Sequence, residues 1–148
     1  EIIVNELEYN LINRSIEEEI LPFLRQHEIT VLAYYPLLSE FLTTNYDENT
    51  IFPENDFRNS WELFKHKENF IRSQELFETM RQIANQNNVS PAEVAINWLL
   101  KDKDIIPIPG AKTKSQIESN IHATQWNLTK DEISQLTTIT SNLKLNWW

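Results

Sequence analysis

Hydrophobic and polar positions along the chain follow two periods, one typical of strands and one typical of helices. The opening segment EIIVNELEYN alternates apolar and polar residues, which predicts a strand over roughly residues 2–8. Thr30 to Tyr35 are nearly all apolar, as expected of a parallel strand that is buried on both faces. The run IIPIP, starting at Ile105, predicts a third and shorter strand.

Five segments carry the apolar spacing of amphipathic helices, and four of them open with a capping box. The predicted boxes are Ser15 with Glu18, Ser90 with Glu93, Thr113 with Gln116 and Thr129 with Glu132. Glu17, Glu18 and Glu19 are accordingly expected in a solvated first turn. Pro22 is expected to kink that helix or to shift its first turn. The helix without a box ends at Asn87-Asn88, where asparagine is expected in the left-handed capping position.

Residues 36–70 show little periodicity and are predicted to form a long loop, a feature that is usually functional. The predicted order is strand, helix, strand, loop, two helices, strand, two helices. This order indicates an α/β fold with a parallel sheet and right-handed crossovers. At 148 residues the chain suits one domain. A free-standing parallel sheet of three strands would leave two apolar edges exposed.

The composition of the chain argues against several classes of function. The formal net charge is -9, which argues against a nucleic-acid-binding surface because phosphate binding needs clustered Lys and Arg. No cysteine is present, so disulfides, thiolate metal sites and cysteine nucleophiles are excluded. His27, His66 and His122 lack ligand spacing, so no metal site is predicted. No apolar run approaches the length of a membrane span, and a cytoplasmic protein without membrane association is expected.

The segment IIPIPGAKTKSQIESN, from Ile105 to Asn120, holds the only glycine of the chain, Gly110. Glycine lets a backbone approach a ligand closely, and the free N–H groups at a helix N-terminus form an anion site. Lys112 or Lys114 would add positive charge. The pattern alone leaves two interpretations open, a phosphate-binding junction and an ordinary strand-to-helix turn.

Five segments, taken together and in their order, resemble the C-terminal half of the aldo-keto reductases: VNELEYNLINR, VLAYYPL, FPENDFRNSWELF, NNVSPAEVAINWLL and IPIPGAKTKSQIESN. These proteins are NAD(P)H-dependent carbonyl reductases built on a TIM (β/α)8 barrel. The resemblance implies that residues 1–148 form one partial barrel domain, with the predicted strands as barrel strands six, seven and eight. It also places residues 36–70 as a loop over the cofactor side. In such barrels the loops after strands seven and eight often bind phosphate.

On the nicotinamide side, the resemblance assigns cofactor contacts to Glu6, Tyr34, Tyr35, Leu37 and Ser39. Tyr34 matches the tyrosine that stacks on the nicotinamide ring. Glu6 falls where many members hold the carboxamide with a glutamine, and Tyr35 fills a place where the family usually has a serine. Leu37 and Ser39 lie in the segment that lines the pyrophosphate.

On the adenosine side, the resemblance assigns the loop around the 2′-phosphate to Gly110, Ala111, Lys112 and Thr113. Asn120 matches the asparagine that binds the adenine. Gln116 lies where many members place an arginine, which leaves Lys112 as the main cation for the 2′-phosphate. The implied cofactor is NADP(H).

Two functional hypotheses follow from the resemblance. The family's catalytic Asp, Tyr, Lys and His come from the first half of the barrel, and no counterpart of that half is recognised in this sequence. In the first hypothesis the chain is the cofactor-binding part of a carbonyl reductase, inactive alone and dependent on a complementary N-terminal half-barrel. In the second it is a non-catalytic half-barrel that self-associates through its open sheet edges, with at most residual nucleotide binding.

Overall fold

The computed structural model describes residues 2–147, and within that range the strands form one parallel sheet. Its strands are β1 (Val4–Glu8), β2 (Thr30–Tyr34) and β3 (Ile105–Pro107), in the order β1-β2-β3. The α-helices of this range are α1 (Ile20–Gln26), α2 (Glu62–Lys65), α3 (Lys67–Arg72), α4 (Gln74–Asn87), α5 (Pro91–Leu100), α6 (Lys114–His122) and α7 (Lys130–Asn142). The predicted parallel sheet is confirmed over these residues. None of the described helices is long and apolar enough to cross a membrane.

The two faces of the sheet differ in what covers them. Parallel pairing puts Val31 opposite Ile105, and it puts Leu32 opposite both Glu6 and Ile106. Since successive residues of a strand point to opposite faces, these two rows lie on opposite sides of the sheet. Val31 and Ile105 are 0% and 3% exposed, because α1 packs on β2 and α5 packs on β3; this side is the outer face. Ile106 is 49% exposed, and its side is the uncovered inner face.

The hydrophobic core lies on the outer face, where α4, α5 and α7 pack together. Trp98 of α5 is fully buried, and its indole N–H donates to the Thr137 hydroxyl at 3.1 Å. The neighbouring Asn97 donates from its amide to the carbonyls of Ala123 at 2.9 Å and Trp126 at 2.7 Å. These bonds satisfy buried polar groups and fix the connection between α6 and α7 on α5.

The helix starts test the predicted capping boxes. The boxes are confirmed at Ser90, Thr113 and Thr129. The box of Ser15 with Glu18 is wrong, because α1 begins at Ile20 and residues 15–19 form turns. Pro22 explains the difference: it lacks an N–H and its ring clashes with the carbonyl four residues earlier, so a helix tolerates it only in the first turn. The expected shift of the first turn is therefore what the structure shows.

Glu17 also lies in a different environment from the predicted solvated turn. Its carboxylate accepts a hydrogen bond from the buried Tyr9 hydroxyl at 2.7 Å and pairs with Arg14 at 2.6 Å. Partial burial opposes ionisation, yet the hydrogen bonds from Arg14 and Tyr9 lower the pKa of Glu17. Arg14 donates in addition to the Thr137 carbonyl at 3.1 Å. A charged cluster, and not a helix cap, therefore ties the segment after β1 to α7.

Residues 36–70 are more ordered than the predicted long loop. They hold 3₁₀ turns at Phe41–Thr43 and Phe57–Asn59, helix α2 and the first part of α3. Left-handed backbone, which favours glycine, recurs at the start of this segment. The residues there with φ between 49° and 75° are Tyr35, Leu38, Ser39, Glu40 and Thr44. Asn88 adopts the same conformation at the end of α4, with φ of 56°, as predicted for this capping position.

Candidate functional site

A cavity of about 790 Å³ opens at the carboxyl ends of β2 and β3. Its walls are the residues that follow β2, the turn around residues 55–58, and the residues that follow β3. Ligands of α/β folds usually bind beyond the carboxyl ends of the strands, and ligand pockets typically measure ~300–1,000 Å³. The cavity is therefore the candidate functional site, and we refer to it as the cleft.

Most of the predicted site residues meet in the cleft. Its walls include Tyr34, Tyr35, Leu37, Ser39, Gly110, Ala111, Lys112 and Gln116. These residues come from two separate stretches of the sequence. Because β2 and β3 pair in parallel, both strands end at the same edge of the sheet and bring the two stretches together.

Three predicted residues, Glu6, Thr113 and Asn120, do not line the cleft. Glu6 lies within β1 and pairs with Leu32 on the inner face. The Thr113 hydroxyl caps α6 by accepting from the backbone N–H of Gln116 at 3.3 Å. Asn120 lies in the body of α6, beyond its first turn. A strand interior, a cap and a helix body thus leave these side chains out of the cleft walls, and their assignment to the cofactor stays a prediction.

One end of the cleft is aromatic. The Tyr34 and Tyr35 rings meet edge to face with centroids 5.3 Å apart, and Tyr35 lies 6.0 Å from the Trp61 ring. Tyr35 has φ of 50°, so the chain turns sharply where β2 ends. The amide of the buried Asn10 donates to the Tyr35 carbonyl at 3.2 Å and holds this turn in place. The result is a fixed aromatic surface against which a planar ring can stack.

A charged cluster that the sequence prediction missed forms another part of the wall. Arg58 donates to Asp56 from Nε at 2.9 Å and from Nη2 at 2.7 Å, and to Glu40 from Nη1 at 2.8 Å. All three residues line the cleft. Arg58 also donates to the Tyr46 hydroxyl at 2.7 Å and lies 4.4 Å from the Phe52 ring centroid. The available signal was the charged triplet Asp-Phe-Arg inside an otherwise irregular segment.

Hydrogen bonds keep both acids of this cluster ionised. Bonds from the Arg58 side chain and backbone lower the pKa of Asp56 to about 2. A bond from the Tyr46 hydroxyl, together with one from Arg58, lowers the pKa of Glu40, although partial burial opposes this shift. The charge of Lys112 contributes to both shifts. The bond to Asp56 in turn raises the pKa of Arg58. At neutral pH the cluster therefore carries fixed charges of both signs.

Gln116 closes the loop after β3 on itself. Its Oε1 accepts hydrogen bonds from the backbone N–H groups of Lys112 at 2.6 Å and of Thr113 at 3.1 Å. Two backbone donors of the predicted phosphate loop are thereby occupied. Gly110 has no left-handed φ, and a Cβ at this position would meet nothing within 4 Å. The turn itself therefore does not require glycine at position 110.

The chemistry of the walls fits a dinucleotide. Tyr34 and Leu37 offer apolar surface for a planar ring, and Ser39 offers a hydroxyl. Two ion pairs in the cleft join Arg58 to Glu40 and to Asp56. Lys112 also lines the cleft and forms no ion pair with any residue from 2 to 147, so its ammonium can contact a ligand. Across residues 2–147, no group of three or more His, Asp or Glu side chains could hold a metal ion.

Known proteins resemble this chain in sequence. The sequence model of the aldo/keto reductase family matches residues 1–141. The aldo-keto reductase yakc [NADP(+)] of Schizosaccharomyces pombe is 33% identical over 135 residues, which cover 88% of this chain and 39% of that protein.

Solved structures resemble it in fold. A glycerol dehydrogenase from Gluconobacter oxydans matches with a TM-score of 0.84 and 28% identity, over 95% of this chain and 42% of that chain. An aldo-keto reductase from Klebsiella pneumoniae in complex with NADPH matches with a TM-score of 0.66 and 23% identity, over 93% of this chain and 39% of that chain. The chain thus spans about two-fifths of the length of these relatives, and its fold is part of a TIM barrel. With a family match over residues 1–141, this chain belongs to the aldo/keto reductase family.

Proposed function

We propose that this chain supplies the cofactor-binding side of an aldo-keto reductase that reduces aldehydes or ketones with a nicotinamide dinucleotide. The observation that carries the proposal is the cleft, where two distant stretches of sequence bring together most of the residues assigned to the cofactor by resemblance. A bound reduced dinucleotide would supply the hydride for the carbonyl carbon. The expected cytoplasmic location belongs to the same proposal.

In this proposal, different wall residues of the cleft bind different parts of the dinucleotide. Tyr34 offers its ring to the nicotinamide, and the edge-to-face contact with Tyr35 at 5.3 Å restrains that ring. Leu37 and Ser39 flank the pyrophosphate from the segment of left-handed backbone. Lys112, which the resemblance places on the adenosine side, supplies positive charge for the phosphates of the dinucleotide.

The proposal assigns proton donation to a separate segment. The family resemblance places the catalytic Asp, Tyr, Lys and His in the first half of the barrel, and this chain covers 39% of its fission yeast relative. The inner face, on which Ile106 is exposed, is the surface that further barrel strands would cover. We therefore expect the chain alone to bind the dinucleotide without turnover.

Binding by the chain alone is the direct test. Titration with NADH and NADPH should saturate a tryptophan fluorescence change, because Trp61 lies 6.0 Å from Tyr35 at the aromatic end of the cleft. Lys112→Met should weaken binding by roughly tenfold, the effect of about 1.4 kcal/mol. Lys114→Met is the matched control, since Lys114 pairs with Glu118 and does not line the cleft. No saturation with either dinucleotide at millimolar concentration would refute the proposal.

A complementation experiment tests whether a separate segment supplies proton donation. The N-terminal remainder of the fission yeast relative, added to this chain, should restore aldehyde-dependent oxidation of the reduced dinucleotide, while neither part alone should turn over. Turnover by this chain alone would contradict the assignment of proton donation to a separate segment. Dinucleotide binding without turnover at any mixing ratio would favour the second candidate function.

The uncovered inner face supports that second candidate, a non-catalytic half-barrel that self-associates. On this face Val4 of the edge strand β1 is 40% exposed and Ile106 of β3 is 49% exposed. Unpaired strand edges and contiguous apolar surface favour association, and two copies can pair through the same surface. Light scattering should then show a concentration-dependent dimer that Ile106→Lys abolishes. A monomer at every concentration would rule this candidate out.

A further inference from the structure

The charged groups around the cleft limit which dinucleotide it can hold. NADP(H) differs from NAD(H) by a 2′-phosphate, which carries about −1.5 to −2 charges at neutral pH. Such a group is bound well only by uncommitted cations and N–H donors. The charged side chains that line the cleft are Glu40, Asp56, Arg58 and Lys112. Two carboxylates stand against two cations, so their formal charges sum to zero.

Arg58 is already committed within the protein. Its Nε and Nη2 donate to Asp56, and its Nη1 donates to Glu40 and Tyr46. The guanidinium lies over the Phe52 ring, and only 15% of the side chain is exposed. A phosphate would recruit Arg58 only by breaking charge-assisted bonds to two carboxylates, which would then face the phosphate unpaired.

Lys112 is the remaining cation, and its surroundings oppose a second anionic group. Its charge contributes to the lowered pKa of both Glu40 and Asp56, so two carboxylates lie within its electrostatic reach and would repel a further anion beside it. Its backbone N–H and that of Thr113 donate to the Gln116 Oε1. The N–H of Gln116 donates in turn to the Thr113 hydroxyl. An incoming phosphate would have to displace these bonds before it gained any donor from this part of the loop.

From these contacts we infer that the cleft discriminates against the 2′-phosphate and binds NAD(H) more tightly than NADP(H), with Glu40 and Gln116 as the specificity-determining residues. The inference rests on the proposed function, because a cleft that binds no dinucleotide has no preference. A ribose with a free 2′-hydroxyl adds no charge to the cleft and leaves the Gln116 cap intact. The chain thereby differs from its fission yeast relative, whose name specifies NADP(+).

Equilibrium titration of the full chain with NADH and with NADPH tests the inference. At low ionic strength NADH should bind at least about tenfold more tightly than NADPH. Added salt should narrow this gap, because the penalty on the 2′-phosphate is electrostatic and salt screens it. The readout is binding, so the test does not depend on turnover.

Substitutions at the two named residues sharpen the test. The double variant Glu40→Gln with Gln116→Arg removes one carboxylate, frees two backbone donors and adds a cation, so NADPH should become the tighter ligand. Gln116→Ala frees the donors without adding charge, and it should raise the affinity for NADPH less than Gln116→Arg does. Lys114→Arg conserves charge outside the cleft and should change neither affinity. Circular dichroism and thermal melting would show that each variant is folded.

The outcomes separate the inference from the proposed function. Equal affinities, or tighter binding of NADPH by the unmodified chain, would overturn the inference and leave the proposed function in place. No binding of either dinucleotide would overturn the proposed function and the inference with it. A double variant that is folded but keeps the original preference would overturn the assignment to Glu40 and Gln116.

Discussion

The outer and inner faces of the sheet are formed by the same strands, yet helices bury the outer face and leave the inner face uncovered. On the outer face Val31, Ala33 and Ile105 are buried beneath helices. On the inner face Leu32 is half-buried and Ile106 is exposed. In a complete barrel every strand is covered on both faces, by helices outside and by packed side chains inside. Over residues 2–147, this chain completes only the outside.

The difference separates stability from function. Apolar area removed from water is the main favourable term in folding, and here it is concentrated on the outer face. The cleft lies at the ends of the strands, between loops with left-handed backbone and paired charges. Substitutions on the outer face should therefore change the free energy of unfolding. Substitutions on the inner face should change self-association, and those in the cleft should change ligand binding.

The largest expected difference between the two faces concerns two neighbouring isoleucines of β3, Ile105 on the outer face and Ile106 on the inner face. Ile105→Ala should lower the free energy of unfolding by about 2–5 kcal/mol, because it leaves a cavity in the packed outer face. Ile106→Ala removes the same atoms from the exposed inner face and should cost less than about 1 kcal/mol. Urea denaturation of both variants at low protein concentration measures the difference.

Equal costs for the two variants would break the comparison. They would mean that the inner face is covered in solution, and a second copy of the chain is the occupant that the second candidate function names. Repeating the Ile106→Ala measurement at high protein concentration distinguishes the cases, since a cost that grows with concentration reports a dimer.

The sequence predicted those parts of the fold that depend on local patterns. The strands and the helices that begin after Ser90, Thr113 and Thr129 follow from apolar spacing and from capping boxes that the structure contains. The box at Ser15 failed because Pro22, seven residues later, sets where α1 begins. A local signal at a helix start is therefore reliable only if the next two turns are compatible with a helix.

The site was only partly predictable. The wall residues at the ends of β2 and β3 were identified by resemblance, and the parallel pairing of these strands brings them together. Arg58 and Glu40 were missed, since their contact joins residues of an aperiodic segment through a left-handed turn. Glu40 itself has φ of 75°, and without a glycine at that position nothing in the sequence marked the turn.

The next largest expected difference in stability is between substitutions of two separate carboxylates, Glu93 and Glu40. On the outer side, the buried Glu93 accepts hydrogen bonds from the Ser90 backbone N–H at 2.8 Å, the Ser90 hydroxyl at 2.7 Å and His122 Nδ1 at 2.6 Å. Glu93→Gln should therefore destabilise the chain by about 2 kcal/mol at neutral pH. Glu40→Gln, whose carboxylate is more exposed at the cleft, should cost less than about 1 kcal/mol. Denaturant titration at neutral pH measures both.

The pH dependence checks the mechanism of the Glu93 effect. Burial opposes ionisation of Glu93, but bonds from Ser90 and His122 outweigh it and lower its pKa in the folded chain. A carboxyl group with a lowered pKa contributes stability above its unfolded value of ~4.3 and loses that contribution as the pH falls through the folded value. The gap between the unmodified chain and Glu93→Gln should thus close on acidification. A gap that stayed constant into the acid range would show that packing, and not charge, is lost.

The smallest expected effect concerns backbone strain in the segment that follows β2. Thr44 has φ of 60°, a conformation that costs a β-branched residue about 1–2 kcal/mol, so Thr44→Gly should stabilise the chain by about 1 kcal/mol. Its carbonyl still accepts from Arg81, because that bond uses the backbone. Asn88→Gly, at the end of α4, should gain less than about half as much, since asparagine tolerates φ of 56°. Thermal melting of both variants measures the difference. If Asn88→Gly gained as much as Thr44→Gly, the left-handed backbone that follows β2 would be no more strained than an ordinary helix cap.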